Sequence, residues 1–217
     1  MKIQKLLHSC LLVEENGKQI LIDPGTFSFD EQGNIDTLPY IDAILITHNH
    51  GDHASPVVIK KVIARDNTPV FGNSDVVELL SKEGIPVTLV SVPSTFETAG
   101  FTIEATVAPH EPLPRAIPEN NGFLINARLF TPGDSHSFET GLKTTPEVLA
   151  LPTLAPWGTF TRAMEIALRM KPKHIIPAHD GFVKEQFLVH QYARYSPTLE
   201  QAGIKLHPLK PGEILEV

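Results

Sequence analysis

Cysteine is almost missing from this chain. Cys10 is the only one, so no intrachain disulfide can form, a state that fits a reducing compartment. Cys10 sits among apolar residues and reads as a core position. Long basic runs are missing too. Asp and Glu total 25 against 18 Lys and Arg, giving a formal charge of −7. Nucleic-acid backbones are bound through clustered Lys and Arg, so nucleic acid is not the expected partner. No apolar run approaches the length of a membrane helix, and no membrane association is expected. The stretch Leu6 to Val13 is short, contains His8 and runs into Glu14-Glu15, so it reads as strands and not as a signal peptide. Repeats, low-complexity tracts and linkers are absent. The expectation is a single cytoplasmic domain over residues 1–217 acting on a small molecule, with self-association left open.

Strand and helix signals alternate along what is there. Gln19 to Ile22 follows the turn signal Glu15-Asn16-Gly17-Lys18, and Ala43 to Ile46 is a buried strand. Ser55-Pro56 caps a helix carrying Val58, Ile59, Val62 and Ile63. Val70-Phe71 and Val87 to Val90 are short strands around a helix that Ser74 caps and Gly84 ends. Phe101 to Val107 alternates as a strand. Four prolines within residues 109–118 then exclude regular helix and predict a stiff flap. Phe123 to Asn126 and Arg128 to Thr131 form a hairpin, and Val148 to Leu151 a strand. Phe160, Ala163, Met164, Ala167 and Leu168 mark an amphipathic helix, and Lys173 to Ile176 the last buried strand. A helix around Glu185 to Tyr192 and two short strands end the chain. The pattern predicts an α/β fold.

The distinctive segment is Thr47-His48-Asn49-His50-Gly51-Asp52-His53, placed directly after an apolar strand. Gathering so many titratable groups without a counter-cation would be costly. His110, Asp134 and His179 each follow a different predicted strand. Taken singly, each is an ordinary polar residue at a strand end. Taken with the cluster, five imidazoles and two carboxylates exceed what one tetrahedral ion needs and suit two ions sharing a carboxylate.

The ordered set of Asp23, His48-x-His50-x-Asp52-His53, His110, Asp134 and His179 resembles the metallo-β-lactamase superfamily, over nearly the whole chain. The resemblance implies an αββα four-layer sandwich with a dinuclear metal site at the sheet edge. It implies that His48, His50 and His110 bind a first ion, Asp52, His53 and His179 a second, and that Asp134 bridges them. Asp23 would orient the ligand loop from behind, with His8 beside it. The expected cofactor is two divalent ions, zinc first, with manganese or iron as alternatives. Compact stand-alone members, which include sugar-phosphate lactonases and phosphodiesterases, are the nearest likeness. Asp52 stands where some β-lactam-cleaving members carry cysteine, so antibiotic hydrolysis is not indicated.

The chemistry that follows is hydrolysis of an ester, lactone or phosphodiester by a metal-bridging hydroxide, which coordination makes available near neutral pH. Asp52 is both ligand and orienter of that nucleophile. His136 is a candidate donor to an anionic group or leaving oxygen, against a plain surface role. Trp157 is a candidate pocket wall, against a core role, and Arg115 a candidate phosphate contact, against a solvated one. His174, His190 and His207 read as structural. Two other functions remain open: a mononuclear iron dioxygenase on a thiol-derived substrate, and a non-catalytic metal-containing binding protein.

Overall fold

A computed structural model describes all 217 residues. The first half holds β1 (Lys2–Leu7), β2 (Cys10–Glu15), β3 (Lys18–Ile22), β4 (Ala43–Leu45), α1 (Pro56–Asp66), β5 (Val70–Gly72), α2 (Ser74–Ser81) and β6 (Thr88–Leu89). The second holds β7 (Ser94–Thr98), β8 (Phe101–Val107), β9 (Asn121–Ile125), β10 (Leu129–Thr131), β11 (Val148–Pro152), α3 (Phe160–Met170), β12 (His174–Ala178), α4 (Glu185–Gln201), β13 (Lys205–Leu206) and β14 (Ile214–Glu216). They form two seven-stranded sheets, ordered β14-β1-β2-β3-β4-β5-β6 and β13-β12-β11-β10-β9-β8-β7.

Side-chain alternation explains the layers, because successive residues of a strand face opposite ways. Leu11 and Val13 of β2, Ile20 and Ile22 of β3, and Ala43 and Leu45 of β4 point inward. They meet Phe101 and Ile103 of β8, Phe123 and Ile125 of β9, and Val148 and Ala150 of β11 from the other sheet. The intervening residues Cys10, Leu12, Leu21 and Ile44 face outward, where α1 and α2 cover them with Val58, Ile59, Val62, Val76 and Leu80. On the opposite face Leu124, Leu149, Leu151 and Ile175 are covered by Phe160, Ala163, Met164 and Ala167 of α3, and by Tyr192 and Leu199 of α4. The result is the αββα sandwich.

Strand direction then decides where the loops go. β3 and β4 are parallel, and β1 points with β3 because each is antiparallel to β2. In the other sheet β8 and β10 are both antiparallel to β9, and β10, β11 and β12 are parallel. The loops leaving β1, β4, β8, β10 and β12 interlock at one edge. His179 N donates to His8 O at 3.2 Å, Asn121 N to Thr47 O at 2.9 Å, and Glu111 N to Asp134 O at 2.9 Å.

Local signals mostly landed where read. Ser55 caps α1 with Pro56 at its first position, and Asn16 and Gly17 adopt the positive φ values of the β2–β3 turn. Four details differ, the first being β7 (Ser94–Thr98), a strand not among those expected. Asn73, not Ser74, caps α2: its Oδ1 accepts from Val76 N, while its Nδ2 donates to Thr47 O at 2.9 Å. The strand read at Val87 to Val90 is only the two residues of β6. α4 continues well past Tyr192, through Pro197. A proline there forfeits the bond to the carbonyl four residues earlier. The helix survives because Tyr192 and Leu199 are both buried against the second sheet.

Candidate metal centre

The loop between Asp23 and Gly25 presses onto the histidine-rich segment. A Cβ at Gly25 would collide with the Asp52 backbone carbonyl, so only glycine permits this approach. Asp23 itself is fully buried. Its Oδ1 accepts from Thr47 N at 2.8 Å, and its Oδ2 accepts from Thr47 Oγ1 at 2.8 Å and from His53 Nδ1 at 2.8 Å. One carboxylate therefore fixes both ends of the segment.

Four of the histidines share one design. Each turns one nitrogen toward a common centre and ties the other to an acceptor, and those partners assign the tautomers. His53 Nδ1 donates to Asp23. His48 Nδ1 lies 3.1 Å from Thr47 Oγ1, whose hydroxyl proton is given to Asp23, so His48 is the donor. His110 Nδ1 donates to Glu111 O at 2.6 Å, and His179 Nδ1 to Leu154 O at 2.9 Å. All four Nε2 atoms point inward as lone pairs. His50 is reversed: its Nδ1 lies 3.0 Å from His48 Nε2, while its Nε2 faces Arg115 at 3.2 Å.

Asp134 stands in the middle. Its Oδ1 is 3.1 Å from His53 Nε2, and its Oδ2 is 3.2 Å from His179 Nε2, 3.5 Å from His110 Nε2 and 3.7 Å from His48 Nε2. The turn that presents it needs Gly133 at φ +59°. Asn120 holds that turn to the His110 loop: Asp134 N donates to its Oδ1 at 3.2 Å, and its Nδ2 donates to Ala108 O at 2.6 Å and Pro132 O at 2.8 Å. Asp52 approaches from the rim, where it is partly exposed. His8 Nε2 lies 3.1 Å from Asp52 Oδ2, and His8 Nδ1 accepts from Gly181 N at 3.1 Å. The proton of His8 is therefore on Nε2, and His8 donates to Asp52.

Two sets of donor atoms, each mutually within 4.8 Å, emerge: His48, His50, His110 and Asp134, and His8, Asp52, His53 and His179. Buried His53 Nε2, His110 Nε2 and Asp134 Oδ1 have no hydrogen-bond partner, although buried polar groups are almost always satisfied. A cation is what such lone pairs fit. His8 is the exception in its set, because its Nε2 carries the proton. Charge tells the same story. Burial lowers the pKa of His48 and His50, and the neighbouring histidines add to the effect. Burial disfavours charge on His179 as well, but Asp134 and Asp52 outweigh it and raise that imidazole to about 9. His53 is raised in the same way by Asp134 and Asp23. Burial opposes charge on Asp52 and Asp134, yet the surrounding imidazoles hold both carboxyls well below their usual range. The carboxylates stay ionised, and the surroundings of His53 and His179 favour positive charge, which a cation seated between them would supply.

Residues 2–179 match the family model described as the β-lactamase superfamily domain. The chain belongs to the metallo-β-lactamase superfamily. Among similar proteins, Protein Rv0786c of Mycobacterium tuberculosis is 32% identical over 190 residues, covering 84% of this chain and 85% of that protein. A UPF0173 metal-dependent hydrolase of Carboxydothermus hydrogenoformans is 27% identical over 231 residues, covering 99% of each. Igni18, a metallo hydrolase from the archaeon Ignicoccus hospitalis, has the same fold: TM-score 0.76, 21% identity, 99% of this chain and 97% of that one.

In this superfamily member the structure brings together all seven residues expected at the metals, with Asp23 and His8 behind them. Trp157 lines the centre, its ring centroid 5.4 Å from that of His179 and 6.0 Å from that of His110. Arg115 reaches the centre through His50 and is not merely solvated. His136 is placed outside both donor sets. Its ring is buried 5.1 Å from Trp157, and its Nε2 donates to Pro152 O at 2.8 Å. That nitrogen is spent on the backbone and is not free to donate to a substrate.

Sequence reasoning missed a supporting layer. Lys5, in β1, is buried and donates to Pro177 O at 2.7 Å and to both oxygens of Asp180, which also accepts from Tyr192 Oη at 2.8 Å. This network pins the residue following His179 to β1 and α4. The usable signal was Asp180 itself, an acid directly after a candidate ligand. Phe27 and Phe182 also went unread, although both rings border His8.

Proposed function

We propose that this protein is a metal-dependent hydrolase that cleaves an ester, lactone or phosphodiester in a small molecule. The observation that carries the reading is the set of buried, unpartnered lone pairs on His53, His110 and Asp134, in a pocket whose other donors face the same point. His48, His50 and His110 would hold one divalent ion and Asp52, His53 and His179 another, with Asp134 shared, since its oxygens approach histidines of both sets. Imidazole and carboxylate donors fit zinc best and also accept manganese or iron. Ions in those positions supply polarisation of the scissile group and activation of water near neutral pH.

The chain's own contributions are orientation and proton handling. Asp23, Glu111 O and Leu154 O keep four imidazoles in the tautomer that offers Nε2. His8 holds Asp52 Oδ2, so the carboxylate presents a fixed edge that can orient a water and accept its proton. No Ser or Cys nucleophile is needed, and Cys10 is fully buried with its thiol pKa pushed far up by burial. Trp157 lines the centre, and we assign His136 to bracing that indole. We read residues 1–217 as one hydrolase unit, because both sheets share the central core.

The test is elemental analysis together with a panel of lactones, esters, thioesters and phosphodiesters. About two zinc or manganese ions per chain, with turnover lost on chelation and restored on reloading, is expected. One iron per chain with oxygen consumption on a thiol-derived substrate would replace this reading with a dioxygenase. Full metal occupancy without turnover across the panel would leave a metal-containing binding protein.

A further inference from the structure

The two ends of the donor cluster have different walls. At the His50 end stands a cationic side chain, the Arg115 guanidinium, 3.2 Å from His50 Nε2. At the His8–His179 end three aromatic rings lie beside the two imidazoles. Phe27 lies 5.0 Å from His8, Phe182 lies 5.7 Å from His8 and 5.5 Å from His179, and Trp157 lies 5.4 Å from His179, centroid to centroid.

These rings are held, yet not covered. Phe27 is 43% exposed and Phe182 is 46% exposed. Phe27 rides on a short turn fixed on both sides: Thr26 N donates to Gly51 O at 2.9 Å, and Ser28 Oγ donates to Leu7 O at 2.8 Å. Phe182 follows Gly181, whose N–H is given to His8. Single exposed apolar residues need no explanation. Two phenyl rings anchored by the same loops that shape the centre, with an indole that reaches from His179 to His110, give this end of the centre an apolar border. Covering such a border is favourable in proportion to the area removed from water.

We propose that the substrate is an amphipathic anion. Its anionic group lies beside Arg115 and His50, and its acyl or aryl group lies against Phe27, Phe182 and Trp157, with the bond to be cleaved between them over Asp134. This deepens the hydrolase reading and rests on it. Arg115 gives the anion a donor pair that a metal ion alone does not, with the planar geometry that suits carboxylate and phosphate. The rings select for what the anion carries.

Trp157 is the only tryptophan, so its fluorescence reports occupancy of the apolar end without any turnover. The experiment titrates the metal-loaded protein with phenylphosphonate and with methylphosphonate, which share one head group. Phenylphosphonate is expected to bind roughly tenfold tighter. Phe27→Ala combined with Phe182→Ala should bring the two within about twofold, leaving methylphosphonate affinity unchanged. Arg115→Ala should weaken both probes alike, by about tenfold. Equal affinities in the wild-type protein, or a preference that survives loss of both phenyl rings, would overturn the apolar end. Unchanged affinity in Arg115→Ala would overturn the anionic end. Phosphocholine binding as tightly as phenylphosphonate would instead make the rings a cage for a cationic group. Phenylphosphonate selectivity without hydrolysis across the substrate panel would refute the hydrolase reading and leave this subsite standing. Hydrolysis with equal phosphonate affinities would do the reverse.

Discussion

Replacing Asp23 by asparagine changes one oxygen for an amide and nothing in shape, yet it should disable the centre from behind. The carboxylate accepts three hydrogen bonds, from Thr47 N, Thr47 Oγ1 and His53 Nδ1. An amide keeps one acceptor, which the immovable Thr47 N–H claims. Its NH2 then faces Thr47 Oγ1 and His53 Nδ1. A donor now meets a donor, unless His53 moves its proton to Nε2 and turns its lone pair away from the centre. The Thr47 hydroxyl is released toward His48 Nδ1, 3.1 Å away, and pushes His48 the same way. Partners of this kind control metal affinity by about 10–100-fold, or ~1.4–2.7 kcal/mol. Competition against a chelator of known affinity measures that loss, and the melting temperature of the metal-free protein checks the fold. Asp23→Asn should keep its fold and lose at least tenfold in affinity. Binding within about threefold of wild type by a folded variant would refute the tautomer chain.

Asp134→Ala should lower bound metal from about two ions per chain toward one or less, whereas His53→Ala should retain about one; equal contents after the same dialysis would remove Asp134 as a bridge. His110→Ala should lower metal content and His190→Ala, on the exposed face of α4, should not; identical contents would take His110 out of the centre. Lys5→Met leaves Asp180 buried without its ammonium partner and should cost about 3–5 kcal/mol, a fall of ~10 °C in melting temperature; a fall below ~2 °C would show that the pair does not hold the fold. His174 Nδ1 and His207 Nε2 lie 3.0 Å apart, and burial, His174 and Lys205 lower His207 to about 4. The folded state thus excludes a proton that the unfolded chain binds near pH 6.5, so stability is full above that pH and falls toward pH 4. Wild type should lose about 2 °C more than His207→Gln between pH 7.5 and pH 4.5, a modest figure because the pair is partly exposed; equal losses would refute it.

How much of this was readable beforehand depended on whether the information was local. The α/β pattern was legible, but the four layers came from the resemblance: Cys10-Leu11-Leu12-Val13 is apolar throughout, and only the structure assigns Leu11 and Val13 to one face and Cys10 and Leu12 to the other. His48 to His53 was legible because its four donors sit within one turn. His110, Asp134 and His179 became persuasive only as an ordered set, because the strand directions that unite them are tertiary. His136 misled for the same reason: two residues beyond Asp134, it looks equally available, but the chain turns it inward onto Pro152. Asn73 and Ser74 are both good capping residues, and the bond from Asn73 to Thr47 O decided between them. The end of α4 was hidden by Pro197, whose cost is local while its compensation is distant. Phe27 and Phe182 carried no signal, since exposure belongs to the assembled surface.

Neither donor set belongs to one sheet. His48 and His50 come from the loop after β4, and their partners His110 and Asp134 from loops after β8 and β10; Asp52 and His53 are likewise matched with His179, after β12. Ions seated there would act as rivets through two plates. They would add nothing to the strength of either sheet and would resist only the sliding of one over the other. Removing them should therefore leave the hydrogen-bonded ladders intact while the plates gain freedom to shear. Amide exchange would then quicken first in the edge loops, with the strand interiors following only at global unfolding. The metals would also have no complete seat on a half-built chain. Loading would come after the plates have closed, and a filled centre would certify that they had.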